Sequence, residues 1–166
     1  MSRLRIGWIG CGTHANEMLL PQLTRFDVAL AALCDIDEGR LTRTGDRFGV
    51  APENRLRDWR ALLARTDLDA LVVAAGPQIH FEVALAAVAR RLPVFIEKPP
   101  APTAADAERL AQAADAAGVP VVVGFMKRYS TANRIALNLV HAEEFGVPAS
   151  FLGEYMTAPT YFAGDP

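Results

Sequence analysis

An α/β fold with a doubly wound, mostly parallel sheet is predicted by three features of the sequence. Short apolar runs bounded by turn residues recur between amphipathic stretches, as strands alternate with helices in such a sheet. The runs are rich in Val, Ile, Leu and Ala without polar alternation, the pattern of strands covered by helices on both faces. The first run ends in Gly10-Cys11-Gly12, where the chain turns sharply from strand into helix. A chain of 166 residues suffices for one ordinary domain, or for one domain and the beginning of another.

Taken in order, the runs predict strands over about 4–9, 27–34, 69–75, 93–96 and 119–124, with a weaker third strand near Asn54-Arg55-Leu56. Helices are expected between them, over about 14–23, 37–47, 58–65, 78–90 and 103–117. In the fourth of these helices Phe81, Leu85, Val88 and Leu92 fall on one face, leaving Glu82, Arg90 and Arg91 to water. The fifth has a hydroxyl at its N-cap, Thr103, and a carboxylate three positions on, Asp106. Leu110, Ala114 and Ala117 form its buried stripe, and Gly118 stops it.

The rhythm changes after residue 124, so the sequence divides into a domain over 1–124 and the start of a second over 125–166. Ser130 to Phe145 reads as one amphipathic helix, and Ala149 to Thr157 as an alternating strand with no evident partner. An unpaired strand invites pairing with another chain, so self-association as a homo-oligomer through it, or disorder of residues 149–166, is expected.

Seventeen basic and nineteen acidic side chains leave a net charge of −2 with no basic stripe, which argues against nucleic acid as a partner. The basic N-terminal residues Arg3 and Arg5 precede an apolar stretch too short for a signal peptide, and no run is long enough for a membrane helix. Two cysteines are too few for a disulfide framework and too isolated for a zinc site. A cytoplasmic protein without a metal centre is the expectation.

The chemistry concentrates at the ends of the predicted strands. Gly10-x-Gly12-x-x-Ala15 follows a strand and opens a helix, the context of a dinucleotide fingerprint. In that motif Gly10 permits the turn, Gly12 lets the backbone approach a pyrophosphate and Ala15 allows close helix packing. The loop Gly10 to Ala15, with Thr13 and His14, would offer its free N–H groups to the phosphates. Asp35 ends the second run at the spacing where a carboxylate accepts from the adenosine ribose. A carboxylate there repels a 2′-phosphate, so NAD is favoured over NADP, with Arg40 and Arg43 nearby working the other way. Glu97-Lys98-Pro99-Pro100 ends the strand Val94-Phe95-Ile96 on the edge where doubly wound sheets bind ligands. A lysine there can hydrogen-bond a substrate hydroxyl and serve in acid–base work.

These segments together resemble the glucose–fructose oxidoreductase / inositol dehydrogenase / MocA-type family of NAD(P)-dependent oxidoreductases. The likeness rests on Ile6-Gly7-Trp8-Ile9-Gly10-Cys11-Gly12, Asp35, Asp69-Ala70-Leu71-Val72-Val73 followed by His80, and Glu97-Lys98-Pro99. Val123-Gly124-Phe125-Met126-Lys127-Arg128-Tyr129 and Gly146-Val147-Pro148 continue it in family order. It implies an N-terminal Rossmann domain and a C-terminal α/β domain whose open sheet walls the substrate site and often forms an oligomer interface. It further implies hydride transfer between nicotinamide and a secondary alcohol of a sugar, cyclitol or related polyol.

Carried over by position, the resemblance assigns Lys98 to the reacting carbinol and the nicotinamide ribose, with Glu97 holding the same ribose. Gly76, Pro77 and His80 fall near the nicotinamide end, and Met126, Lys127 and Arg128 line or support the substrate pocket. Read from the residues alone, His80 is equally a helix-start histidine bonded to backbone, and 126–128 a basic turn. Two departures stand out. Gly76 replaces the threonine or serine that the family more often places before the proline. The family's catalytic aspartate and histidine belong to a helix that would lie beyond Pro166, so these 166 residues are expected to bind cofactor with little or no turnover. A non-catalytic NAD(P)-binding module is the alternative.

Overall fold

A computed structural model describes residues 3–154 and 156. The chain forms two compact units, Met1–Phe125 and Met126–Pro166. In the first, six strands make one sheet: β1 (Leu4–Ile9), β2 (Val28–Cys34), β3 (Arg55–Leu56), β4 (Ala70–Val73), β5 (Val94–Ile96) and β6 (Val121–Val123). Their order is β3-β2-β1-β4-β5-β6, every neighbouring pair is parallel, and the order reverses between β1 and β4. This is the Rossmann arrangement, and its ligand crevice lies at that reversal.

The helices are α1 (Glu38–Phe48), α2 (Trp59–Leu63), α3 (Pro77–Ala89) and α4 (Ala104–Ala117). Side chains alternate across a strand, so β1 sends Trp8 to one face of the sheet and Ile9 to the other. Trp8 packs with Leu20, Leu33, Leu41 and Val50, whereas Ile9 joins Leu62, Leu71, Val73, Val83 and Ile96. The expected caps form. Thr103 Oγ1 accepts from the Asp106 N–H at 3.1 Å, and Gly118 ends α4 with φ +64°.

Four expectations need correction. The helix expected over 14–23 is a π-helical segment, Ala15–Leu19, followed by a 3₁₀ segment, Leu20–Arg25. Pro21 has no N–H and its ring crowds the carbonyl four residues back, so the chain widens first, with the Leu20 N–H donating to Ala15 O, and then tightens. On α3 the buried face runs through His80, Ala84 and Ala87 as well as Phe81 and Val88, while Leu85, and Leu92 just past the end of the helix, are half-buried. Small residues let this helix lie close on the sheet.

In the second unit, α5 (Thr131–Val140) begins at Ser130, whose hydroxyl accepts from the Asn133 N–H, and ends well short of Phe145. Ala142 is extended, and Glu143–Phe145 form a separate 3₁₀ turn. Two glutamates at this point would oppose the negative end of the helix dipole. The strand expected over 149–157 is absent at 149–154 and 156, and its other positions, 155 and 157, lie outside the described residues. Alternation marks a face, but a strand needs a neighbour to satisfy its N–H and C=O groups.

Candidate nucleotide site

One row of hydrogen bonds aligns the carboxyl ends of all six strands. Asp35 N–H donates to Leu56 O, Gly10 to Cys34 O, Ala74 to Ile9 O, Glu97 to Val73 O and Gly124 to Ile96 O, at 2.8–3.2 Å. Every residue of the predicted fingerprint therefore emerges on one edge. Between β1 and β4 that edge opens into a cleft of about 500 Å³. Gly10, Gly12, Thr13, His14, Asp35 and Gly76 line it, together with Ile36, Arg40, Arg57, Trp59, Ala75 and Ile79.

The glycine loop is braced from below and open above. Gly10 holds φ +99°, and a Cβ there would fall 2.1 Å from Ala74 O, so only glycine lets β1 leave the sheet at this point. A Cβ on Gly12, by contrast, would meet nothing within 4 Å, which is the free space a pyrophosphate needs. The buried Trp8 indole donates to Gly10 O at 2.7 Å, and Asn16 Nδ2 donates to Cys11 O at 2.8 Å and to the Thr44 hydroxyl at 3.0 Å. Sequence reading missed Asn16. Its only signal is a short amide one turn past the glycines. Asp35 accepts from the Cys11 N–H at 2.6 Å with one oxygen and from the Asp37 N–H at 2.9 Å with the other. Each carboxylate oxygen keeps a further acceptor site for a ribose hydroxyl.

Beside the cleft a second hollow of about 370 Å³ is lined by Thr13, Arg40, Arg43 and Arg47, with Glu17 on its wall. Hydrogen bonds from the Arg40 N–H and the nearby Arg40 and Arg43 charges hold the Asp37 carboxyl below its ordinary range. Burial pushes the Cys11 thiol up to about 11, a shift the hydroxyl of Thr44 opposes and the charge of Asp35 reinforces. Burial, then Asp35, raises Cys34 to about 12. Both thiols are thus protonated packing groups rather than nucleophiles.

At the other end, β5 delivers Glu97 and Lys98. Glu97 is 8% exposed, its Oε2 accepts from the Lys98 N–H, and its Oε1 stands 4.0 Å from His14 Nε2 on the glycine loop. Gly124 leaves room for it, since a Cβ there would fall 2.6 Å from Glu97 Oε1. Lys98 is exposed. Pro77 opens α3 at its first turn. His80 is fully buried, with Nε2 accepting from the Ala75 N–H at 3.0 Å and Nδ1 2.8 Å from Pro99 O. Both of its nitrogens therefore serve backbone. Met126 and Lys127 belong to the second unit, in the 3₁₀ turn Met126–Tyr129, where Asn133 Nδ2 donates to the Lys127 carbonyl.

Residues 4–125 match the family model described as "Oxidoreductase family, NAD-binding Rossmann fold", of the GFO_IDH_MocA group. The chain belongs to this family. Among its curated members, inositol 2-dehydrogenase of Salmonella typhimurium is 31% identical over 159 residues, 95% of this chain and 47% of the relative. D-apiose dehydrogenase of Rhizobium rhizogenes is 28% identical over 166 residues, the whole chain and 48% of the relative. The chain thus spans about half the length of the curated relatives it matches. An oxidoreductase from Agrobacterium radiobacter, solved in complex with NAD+, L-tartaric acid and magnesium, superposes with TM-score 0.74 at 29% identity, covering 83% of this chain and 40% of that one. Residues 4–125 are therefore an NAD-binding Rossmann domain. Among the described residues no three His, Cys, Asp or Glu side chains converge as a metal site, and no helix is long and apolar enough to cross a membrane.

Proposed function

We propose that the chain is the cofactor-holding part of an NAD-dependent oxidoreductase acting on a secondary alcohol of a cyclitol, sugar or related polyol. The observation that carries this reading is the single cleft onto which the glycine loop, Asp35 and Ala75-Gly76 converge, with Glu97-Lys98 following two strands away. The substrate class is supported by relatives named for inositol and D-apiose. Bound NAD supplies nicotinamide C4 as the hydride acceptor or donor. The backbone of Gly10 to His14 holds the pyrophosphate, Asp35 the adenosine ribose, and Glu97 with Lys98 the nicotinamide ribose. The Lys98 ammonium hydrogen-bonds the substrate oxygen and takes or returns its proton. Met126 and Lys127, in a segment we read as the entry to a substrate domain, contribute to the pocket. NAD is preferred because the Asp35 carboxylate would face a 2′-phosphate. Two unpaired, buried thiols support a reducing, cytoplasmic setting.

Fluorescence titration tests the reading directly. NADH binds, NADPH binds more weakly, and Gly12→Trp abolishes both by filling the space above the loop. Absence of NADH binding, or binding unchanged in Gly12→Trp, overturns it. Gly76, which adds no hydroxyl to the cleft, supports a second reading as a module that binds dinucleotide without turnover. NAD reduction with a panel of cyclitols and pentoses, lost in Lys98→Met while NADH still binds, selects the enzyme over the module.

A further inference from the structure

We infer that His80 is a positioning residue that ties the Glu97-Lys98-Pro99 turn to the loop after β4, and so sets the nicotinamide end of the cleft. The inference rests on reading that cleft as the dinucleotide site. His80 lies on the first turns of α3, is fully buried and touches neither solvent nor the open cleft. Its partners fix its tautomer. A backbone N–H can only donate, so the Ala75 amide, 3.0 Å away, requires a bare Nε2, and the ring proton sits on Nδ1 and is donated to Pro99 O at 2.8 Å. One rigid ring therefore spans two separate stretches of backbone. The first, Ala75-Gly76, walls the cleft. The second directly follows Lys98. Polar groups this deeply buried are costly to leave unpaired, so the ring binds the two loops together rather than merely filling space.

Charge does not substitute for this tie. The Glu97 carboxylate accepts from the Lys98 N–H but reaches neither Ala75 nor Pro99 by any hydrogen bond in the structure. Pro99 and Pro100 have no N–H with which to anchor themselves. The imidazole is thus a hydrogen-bonded link between the turn carrying Lys98 and the loop after β4, additional to the sheet bond from the Glu97 N–H to Val73 O.

The test compares two ligands that reach different distances along the cleft. NADH spans it, whereas ADP occupies only the adenosine and pyrophosphate end. His80→Gln places an acceptor near Ala75 but loses the Pro99 bond, and His80→Asn places an amide N–H near Pro99. By isothermal titration, His80→Gln is expected to weaken NADH about tenfold, the effect of one buried hydrogen bond, and to leave ADP within about twofold. His80→Asn, which keeps the Pro99 bond but loses the acceptor for the Ala75 N–H, is expected to weaken NADH by a similar factor and likewise to spare ADP. A purely structural role would shift NADH and ADP together, and that result, or no shift with either, overturns the inference. Loss of NADH binding by the unmutated chain would instead bring down the reading of the cleft, and the inference with it. Should the variants not fold, ¹⁵N spectra of the unmutated chain decide. The Nδ1–H tautomer, with ring signals moved by NADH and not by ADP, supports the tie, while an Nε2–H tautomer overturns it.

Discussion

The two units use the same residue types to opposite ends. In the first, Trp8, Leu33, Leu71 and Ile96 are 0–2% exposed, enclosed between sheet and helices. In the second, Ile135, Leu137 and Leu139 on α5 are 55–59% exposed, and Phe151 is 95% exposed. The helix α5 carries an apolar stripe as the helices of the first unit do, yet among the described residues only the first unit supplies an opposing layer. The lesson is that amphipathicity offers a face, and burial of that face depends on a partner element. The free energy that keeps the chain folded is thus concentrated in residues 3–125, alongside the cleft.

Core truncation sharpens that contrast most. Leu33→Ala, at 0% exposure in β2, is expected to cost about 4 kcal/mol in guanidinium unfolding. Gly10→Ala follows at about 3 kcal/mol, from an unfavourable φ and a clash with Ala74 O, and it also weakens NADH by deforming the loop. Alkaline pH gives a smaller effect confined to the first unit, which holds both cysteines. Burial raises the two thiols from 9.0 to about 11 and about 12, so the unfolded chain ionises them first. Their contribution is complete below about pH 9 and is lost as pH rises through the folded values, on the order of 1 kcal/mol per thiol. Unfolding at about pH 8 and about pH 10.5 should differ less in a Cys11→Ala/Cys34→Ala double variant. Leu139→Gln on α5 should change stability by less than about 0.5 kcal/mol. If that substitution instead cost as much as Leu33→Ala, the contrast between the units would fail.

Much of the first unit is legible in the sequence because burial on both faces leaves uninterrupted apolar runs, as in Val28–Cys34 and Ala70–Val73. The glycine loop is legible for a different reason, since steric demands at Gly10 and Gly12 admit few other residues. Other parts depend on partners distant in the chain. His80 bonds to Pro99, nineteen positions away, and no local pattern distinguishes a ring that braces backbone from one that faces a ligand. Asn16 supports the loop through Thr44, twenty-eight positions away, and Trp59 and Ile79 reach the cleft only because the sheet brings their helices to its rim. Pro21 did carry its signal, but which irregular helix replaces a regular one depends on how the first turn packs.

The sheet ends in very short strands, two residues in β3 and three in β6. Two folded copies brought side by side would find little open backbone at these edges through which to pair. Edges this short offer little template for strand-to-strand association of residues 3–125.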